Sequence, residues 1–259
     1  MLKNQNNIKT YLISNLNTTI IGKRIYHRAT LNSTMEYAKL LARKGAKEGT
    51  IVIADEQTSG KGRLDRIWLS PKDNIAMSVI LHPSLTILPQ IIMIASVAVV
   101  RAIRKVCNLD SKIKWPNDIQ LNGKKVCGIL IENEVRASEV NFTVIGIGMN
   151  INLDISAYLE IATLATSLSN ELGYKVKREK ICFSVLTEME KLYLSVISGN
   201  SVYQEWKANM NMLGKTIHVQ SGTIKDQGVA EDVTEQGNLI LRKDDGTTAE
   251  LLAGDVSIV

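Results

Sequence analysis

The chain reads as an α+β protein: a mixed, mostly antiparallel sheet flanked by helices over residues 1–212, then a small β-barrel over residues 213–259. Three features carry that reading. Apolar runs of strand length alternate with helical patterns up to Ile151, and an Asn122-Gly123 dipeptide joins two of the runs as a hairpin. Helical periodicity fills residues 159–213. After Gly214 the texture changes to five short strands in about 45 residues, separated by turn dipeptides, which is the pattern of a small barrel.

Taken in order, Ile8 to Leu16 suits one short helix and Ile25 to Ala29 a strand. Ser33-Thr34-Met35-Glu36 fits a capping box, in which Ser33 closes the helix start and Glu36 reaches back; Gly45 stops the helix. Thr50 to Ala54 and Ile75 to Leu81 are strands. Pro89 opens a helix reaching about Cys107, apolar nearly all round and therefore buried. Lys112 to Trp115 is a short strand ended by Pro116, Ile119 to Leu121 and Lys125 to Glu132 flank the hairpin turn, and Val140 to Ile151 is a further strand. Gly146 and Gly148 lie inside that last strand, where glycine marks close approach of a ligand. Helices follow at Ala162 to Leu172, Glu179 to Ile197 and Val202 to Leu213, and the terminal strands at 216–220, 228–233, 239–242, 248–252 and 256–259 are divided by Ser221-Gly222, Gln236-Gly237 and Asp245-Gly246.

Composition narrows the function classes. A hydrophobic content of 45% supports a packed core, and 22% charged residues is ordinary for a soluble chain. The longest apolar run, Ile91 to Val100, is about half the length a membrane span needs. Met1 to Ser14 lacks the apolar centre of a signal peptide. Cys107, Cys127 and Cys182 are widely spaced, odd in number and fit neither a metal spacing nor a disulfide framework, so the expected location is the cytoplasm. Of the formal net charge of +5, residues 213–259 carry four cations against eight anions, about −4, leaving about +9 on the remainder. A basic body suits phosphates, an acidic protein partner or nucleic acid. The acidic tail argues against DNA as its own ligand.

Gln57 to Trp68 reads Gln-Thr-Ser-Gly-Lys-Gly-Arg-Leu-Asp-Arg-Ile-Trp, with Gly60 and Gly62 alternating with Lys61 and Arg63 before Arg66 and Trp68. Alternate glycines let backbone N–H groups approach a ligand, and the interleaved cations add charge-assisted hydrogen bonds to an anion. The segment follows a strand, so it is a loop at a strand end; taken alone it also reads as a solvated basic turn. Asp65 stands where the third glycine of a dinucleotide fingerprint belongs, and Gly214-Lys215-Thr216 has Asn209 in place of the leading Walker glycine, so neither phosphate motif is present. A second constellation spans Lys114 to Gly128: Lys-Trp-Pro-Asn-Asp, the hairpin turn, then Lys125 in a mostly apolar strand. The hairpin folds Lys125 back toward Lys114 and Asp118. A lysine there is costly without an anion, although snorkelling at the strand edge is equally consistent with the pattern.

Together the two constellations resemble the biotin protein ligases. The family pattern G-R-G-R-x-G-R-x-W is similar to Gly60 through Trp68; K-W-P-N-D is complete at Lys114 to Asp118; Lys-x-x-Gly-Ile-Leu is Lys125 to Leu130; G-x-G-x-N is Gly146 to Asn150; and Ser33-Thr34 supplies the helix start. Order and spacing match from about residue 25 to the end, including the terminal barrel, which in the family is SH3-like. The resemblance implies ATP-dependent activation of biotin to biotinyl-5′-adenylate, then transfer to a lysine of a biotin carboxyl carrier protein, a subunit of acetyl-CoA carboxylase. It implies Arg63 and Lys125 as stabilisers of the α-phosphate, with Mg²⁺ bridging phosphates, and Asp118 as the group that orients or deprotonates the incoming lysine. Biotin would meet Ser33, Thr34, Met35, Gln57, Gly60, Lys61, Gly62, Arg63, Lys125, Gly128 and Gly148. Arg66, Trp68, Lys114, Asn117 and Asn150 would face the nucleotide. A homodimer is compatible with the family; a membrane partner is not expected.

Three departures stand out: Leu64-Asp65 in place of Arg-Gly, Lys61 in place of an arginine whose planar fork it cannot reproduce, and Met35 in place of the Asn that follows Ser-Thr. The nearest rival is a lipoate or octanoyl transferase of related fold, against which the complete K-W-P-N-D and the terminal barrel weigh. The other rival is a nucleic-acid-binding regulator. Residues before 25 are too few for a helix-turn-helix, and aromatic residues make up only 5% of the chain, few for base stacking. The expectation is that this protein does not regulate transcription; salt-dependent nanomolar binding to a defined operator in a gel-shift titration would contradict it.

Overall fold

The computed structural model describes residues 8–221 and 224–258. The turn expected at Ser221-Gly222 therefore lies outside the described residues. In chain order the elements are α1 (Ile8–Asn15), β1 (Arg24–Leu31), α2 (Thr34–Arg43), β2 (Thr50–Gln57), β3 (Ile75–Leu81), α3 (Gln90–Cys107), β4 (Lys112–Lys114), β5 (Asp118–Leu121), β6 (Lys124–Arg136) and β7 (Glu139–Met149). Then come α4 (Leu168–Leu172), α5 (Arg178–Ile197) and α6 (Tyr203–Ala208), followed by β8 (Thr216–Ser221), β9 (Ile224–Val233), β10 (Leu239–Arg242), β11 (Thr248–Leu251) and β12 (Asp255–Ile258).

The first seven strands form one sheet in the order β1-β2-β3-β7-β6-β5-β4. Only β1 and β2 run parallel, joined by the crossover helix α2; every other neighbouring pair is antiparallel. The expected mixed, mostly antiparallel sheet is thus the observed one. Strand periodicity divides its side chains between two cores. Ile51, Ile53, Met77, Val79, Ile145 and Ile147 point to the face covered by α3 and α5. Val52, Ile80, Phe142 and Val144 point to the opposite face, where Met35, Ala38 and Ala42 of α2 meet them. Helix α2 covers only part of that second face, and the uncovered part is where the pocket forms. Asn122 and Gly123 both adopt positive φ, 49° and 78°, as a two-residue hairpin between β5 and β6 requires.

Three local expectations fail. Ser33 has the extended N-cap backbone of α2, but its side chain makes no capping bond. Glu36 turns instead to Lys39 in the same helix, at 2.9 Å, and to Lys61 of the loop, at 2.6 Å, so ion pairs win over the capping box. The apolar spacing from Ala162 to Leu172 yields helix only at Leu168–Leu172. Upstream, the Lys125 N–H donates to the Leu164 carbonyl and the Thr166 N–H to the Lys125 carbonyl, both at 2.9 Å. Pairing with β6 draws that segment out of a helix. Likewise α6 is shorter than the Val202 to Leu213 pattern predicted.

The last five strands form an antiparallel sheet in the order β11-β10-β9-β8-β12. Its core residues Ile217, Val219, Ala230, Val233, Leu239, Leu241 and Val256 belong to the same apolar cluster as α3 and α5. Trp115, 1% exposed, donates from Nε1 to the Gly237 carbonyl at 2.8 Å, and Lys207 pairs with Asp232 at 2.7 Å. The barrel is therefore seated against the strand that leads into Asn117 and Asp118.

The segment entering β1 is held from α5. The Glu190 carboxylate accepts from Thr19 N, from Thr19 Oγ1 at 2.7 Å, from Ile20 N at 3.0 Å and from Ile21 N at 2.7 Å. Burial works to raise its carboxyl, but the hydrogen bonds from Ile21, Thr19 and Ile20 outweigh it and hold the group below the usual carboxylate range. A lowered folded-state pKa stabilises the fold at neutral pH and loses that contribution as pH falls through it. Glu190→Gln is expected to cost about 1–3 kcal/mol at pH 7 by leaving buried N–H donors poorly met. In urea titrations the gap between parent and variant should begin to narrow below the unfolded glutamate pKa, about 4.3, and close as pH falls through the lower folded-state value. A gap that stays constant with pH would contradict the carboxylate's role.

Candidate active site

The pocket begins as a row of missing side chains. Pairing across the sheet aligns Ala54 with Ala76, Ala76 with Gly148, Gly148 with Gly128, Gly128 with Asp118 and Asp118 with Lys114. Directly paired residues share a face, so this row crosses six strands on the side that α2 leaves open. Its first four members are Ala or Gly and its last two are charged. In the next row Ser78 pairs with Gly146. The result is a slot with a low floor running from α2 toward a charged end, enclosing about 320 Å³. That volume lies at the lower end of small-molecule sites.

Two side chains rest on the floor. A Cβ at Gly146 would lie 2.5 Å from Met35 Sδ, and one at Gly148 would collide with the Trp68 indole. At Gly128 it would meet Lys125 Cε and Trp68 Cζ3 at 3.1 Å each. The glycines are thus required by what stands over them. Trp68 reaches this position because the loop before it closes on itself: Trp68 N donates to the Gly60 carbonyl at 2.8 Å and Gly62 N to the Arg66 carbonyl at 2.7 Å. Between them Leu64 adopts a left-handed backbone, φ 53° and ψ 43°, which is unfavourable for a leucine.

The end beneath α2 is polar but uncharged. Gln57 Oε1 accepts from Thr34 N at 2.7 Å and Thr34 Oγ1 at 3.0 Å, Gln57 Nε2 donates to Ser70 Oγ at 3.2 Å, and Ser78 Oγ donates to Thr34 Oγ1 at 2.9 Å. These contacts fix the amide's orientation and present amide and hydroxyl groups side by side. Ser33 is 4% exposed, and its Oγ has no hydrogen-bond partner.

Cations gather at the other end. Lys125 Nζ lies 2.6 Å from Asp118 Oδ1 and 5.2 Å from the centroid of the Trp68 ring. Arg63 donates from Nη1 to Asn117 Oδ1 at 3.0 Å and from Nη2 to the Gly254 carbonyl at 3.2 Å. Arg66 is ion-paired with Asp255, whose other oxygen lies 3.9 Å from Arg63 Nη1. Burial lowers the Lys114 pKa; Asp118 opposes the shift, while nearby Lys125 reinforces it. Four cations thus converge around two carboxylates, a surplus suited to an incoming polyanion.

Of the residues singled out from the sequence, Thr34, Met35, Gln57, Lys61, Gly62, Arg63, Arg66, Trp68, Asn117, Asp118, Lys125, Gly128, Gly148 and Asn150 line this one pocket. Ser33, Gly60 and Lys114 are not part of the lining, although Lys114 pairs with the lining residue Asp118. Asn150 is 5% exposed and its Nδ2 donates to the Thr166 carbonyl at 3.0 Å, so part of its amide holds the 154–166 segment. The side chain of Asp65 lies outside the described part of the structure. Ser70, Ser78, Asp255 and the apolar rim at Leu153, Ile161, Leu164 and Ala165 escaped the sequence reading. Ile161, Leu164 and Ala165 fall in the stretch whose periodicity predicts helix; the others carry no local signal.

Comparison with known proteins gives a consistent answer. Residues 27–150 match the Biotin/lipoate A/B protein ligase family, and residues 212–259 match the Biotin protein ligase C terminal domain. The chain is 34% identical over 237 residues to the bifunctional ligase/repressor BirA of Bacillus subtilis, covering 89% of this chain and 73% of that protein. It is 32% identical over 222 residues to the biotin–[acetyl-CoA-carboxylase] ligase of Paracoccus denitrificans, covering 83% of this chain and 92% of the relative. Among solved structures, the Aquifex aeolicus biotin protein ligase in complex with biotin and ATP superposes with a TM-score of 0.78 at 27% identity, over 92% of this chain and 99% of that one. On these matches the chain belongs to the biotin protein ligase family.

Proposed function

We infer that this protein activates biotin with ATP to biotinyl-5′-AMP and transfers the biotinyl group to a lysine of a biotin carboxyl carrier protein. The observation that carries the reading is the polarity of the slot: uncharged amide and hydroxyl groups at one end, a Gly/Ala floor between, and converging cations beside a carboxylate at the other. A fused ureido ring needs paired donors and acceptors without net charge, which Gln57 and Thr34 supply. The aliphatic chain of biotin would lie on Gly148 and Gly128, delivering its carboxylate to Lys125 and Arg63. There it would face the α-phosphate of ATP, and negative charge building on that phosphate would be met by the two fixed cations. We assign Arg66, Trp68, Lys114, Asn117 and Asn150 to the nucleotide. Asp118, beside Lys125, would orient the carrier lysine and take its proton.

Mg²⁺ fits as a companion of the nucleotide. Among the described residues no three His, Cys, Asp or Glu side chains converge, and the pocket's two carboxylates, Asp118 and Asp255, each face a cation. Mg²⁺ characteristically rides on substrate phosphates with one or two carboxylates, and it would neutralise phosphate charge. Among the described residues no helix is long and apolar enough to cross a membrane. Burial pushes the Cys182 thiol up to about 12 and the Cys127 thiol up as well, so both are inert, which suits the cytoplasmic location we propose.

Incubation with biotin, MgATP and a carrier domain, followed by intact mass of the carrier, tests the reading. One added biotinyl group is the expected result. A larger thermal shift with lipoate than with biotin, and an unmodified carrier, would favour the lipoate branch of the fold.

A further inference from the structure

We propose that Met35 is the specificity-determining residue at the uncharged end of the slot. Its thioether packs on the sulfur-containing ring of biotin and so separates biotin from ligands that carry the ureido ring alone. The proposal rests on the reading of the slot as a biotin site. Met35 is the second residue of α2, directly after the Thr34 that holds Gln57. It is 3% exposed, lines the pocket, and is backed by an apolar cluster that includes Ala38, Val52 and Phe142. Its side chain lies over Gly146, where an added Cβ would stand 2.5 Å from Sδ and 3.0 Å from Cγ. Gly146 is two residues from Gly148 on β7 and therefore on the same face, so Met35 walls the ring end of the slot.

The polar groups at this end are already committed. Gln57 Oε1 accepts from the N–H and the hydroxyl of Thr34, Gln57 Nε2 donates to Ser70, and Thr34 Oγ1 accepts from Ser78. By inventory that leaves one N–H on Gln57 and one lone pair on Thr34 to face a ligand. These suit the carbonyl and an N–H of a ureido ring and read nothing beyond it. The floor beneath is Ala and Gly. A second, fused ring therefore finds its apolar partner in Met35. A thioether is a weak acceptor and no donor, and its unbranched chain moulds to an irregular body. The asparagine that the family pattern carries after Ser-Thr would place a polar amide here. This chain has a group that contributes dispersion contact in its stead.

The test is calorimetric titration of the full chain with biotin and with desthiobiotin, which keeps the ureido ring and an aliphatic carboxylate chain but lacks the sulfur. The parent is expected to bind biotin about five- to fifty-fold more tightly than desthiobiotin, because only biotin fills the space beside Met35. Met35→Ala should weaken biotin about five- to thirty-fold and desthiobiotin less than about two-fold, so the ratio of the two affinities falls. Met35→Leu, close in volume and apolar, should keep the ratio within about two-fold of the parent's. A loosened fold lowers the affinity for both ligands by the same factor and cancels in the ratio. Equal weakening of both ligands in Met35→Ala would overturn the proposal and make Met35 a packing residue of α2. Biotin affinity unchanged in that variant would overturn it as well. A parent that binds no biotin would refute the reading of the slot itself, whereas a parent that binds it and a ratio that stays fixed would refute only the role of Met35.

Discussion

Lys125→Ala is expected to lower biotin-dependent pyrophosphate release by about 2–4 kcal/mol of transition-state stabilisation, roughly 30- to 1,000-fold. The substitution removes a cation without moving the strand that carries it. The Lys125 N–H and carbonyl are both engaged by the 164–166 segment at 2.9 Å, and these backbone bonds survive a change of side chain. What disappears is the Nζ placed 2.6 Å from Asp118 and 5.2 Å from the Trp68 ring centroid. Ground-state binding of biotin should weaken less than the rate, because the ring and ureido contacts lie at the other end of the slot. Lys125→Arg should recover little, since a planar fork cannot reproduce a compact ammonium over Trp68. Pyrophosphate release within a few-fold of the parent, from a variant of normal thermal stability, would show that Lys125 is a snorkelling strand lysine with no part in adenylation.

That alternative was open in the sequence and is narrowed by the fold, which shows how far each could be read. Local signals located the elements: apolar runs of strand length for β3 and β7, Asn122-Gly123 for the hairpin, and the all-round apolar run for α3, whose Asn108 C-cap adopts φ 54°. They also located the glycine–cation loop and the Lys114-to-Gly128 constellation. The pairing order of the strands was not readable, because it is decided by contacts between residues far apart in the chain. Without that order, Ala54, Ala76, Gly148 and Gly128 are four unrelated small residues; with it they are one floor. Asp255 was illegible for the same reason, standing 189 residues from the Arg66 it pairs with. Two errors came from trusting local pattern where tertiary contact prevailed. Glu36 left the capping box for Lys39 and Lys61, and the chain at 164–166 pairs with Lys125 of β6 instead of continuing as helix.

The floor itself supplies the second large effect. Gly148→Ala is expected to weaken biotin binding about 5- to 150-fold, the equivalent of roughly 1–3 kcal/mol of overpacking. An added Cβ would run into Trp68 Nε1 and Cε2, atoms of a rigid ring that cannot bend aside as a flexible side chain would. Trp68 must therefore tilt off the floor, and with it moves the ring face that Lys125 Nζ approaches. The fold should tolerate the change, because the atoms the methyl meets first belong to the Trp68 side chain and not to the sheet, and the β3–β7 and β6–β7 pairing at this position involves backbone alone. A chemical-denaturation midpoint close to the parent's would accompany the loss of affinity. The clash also predicts coupling. If Gly148→Ala acts through the indole, then in a Trp68→Leu background the same substitution should cost much less, and the two effects should fall well short of adding. Full additivity in calorimetric biotin titrations would mean that the methyl blocks the ligand directly and that Trp68 is a bystander. Biotin affinity unchanged in Gly148→Ala would remove the floor, and the path assigned to the aliphatic chain, from the account of this site.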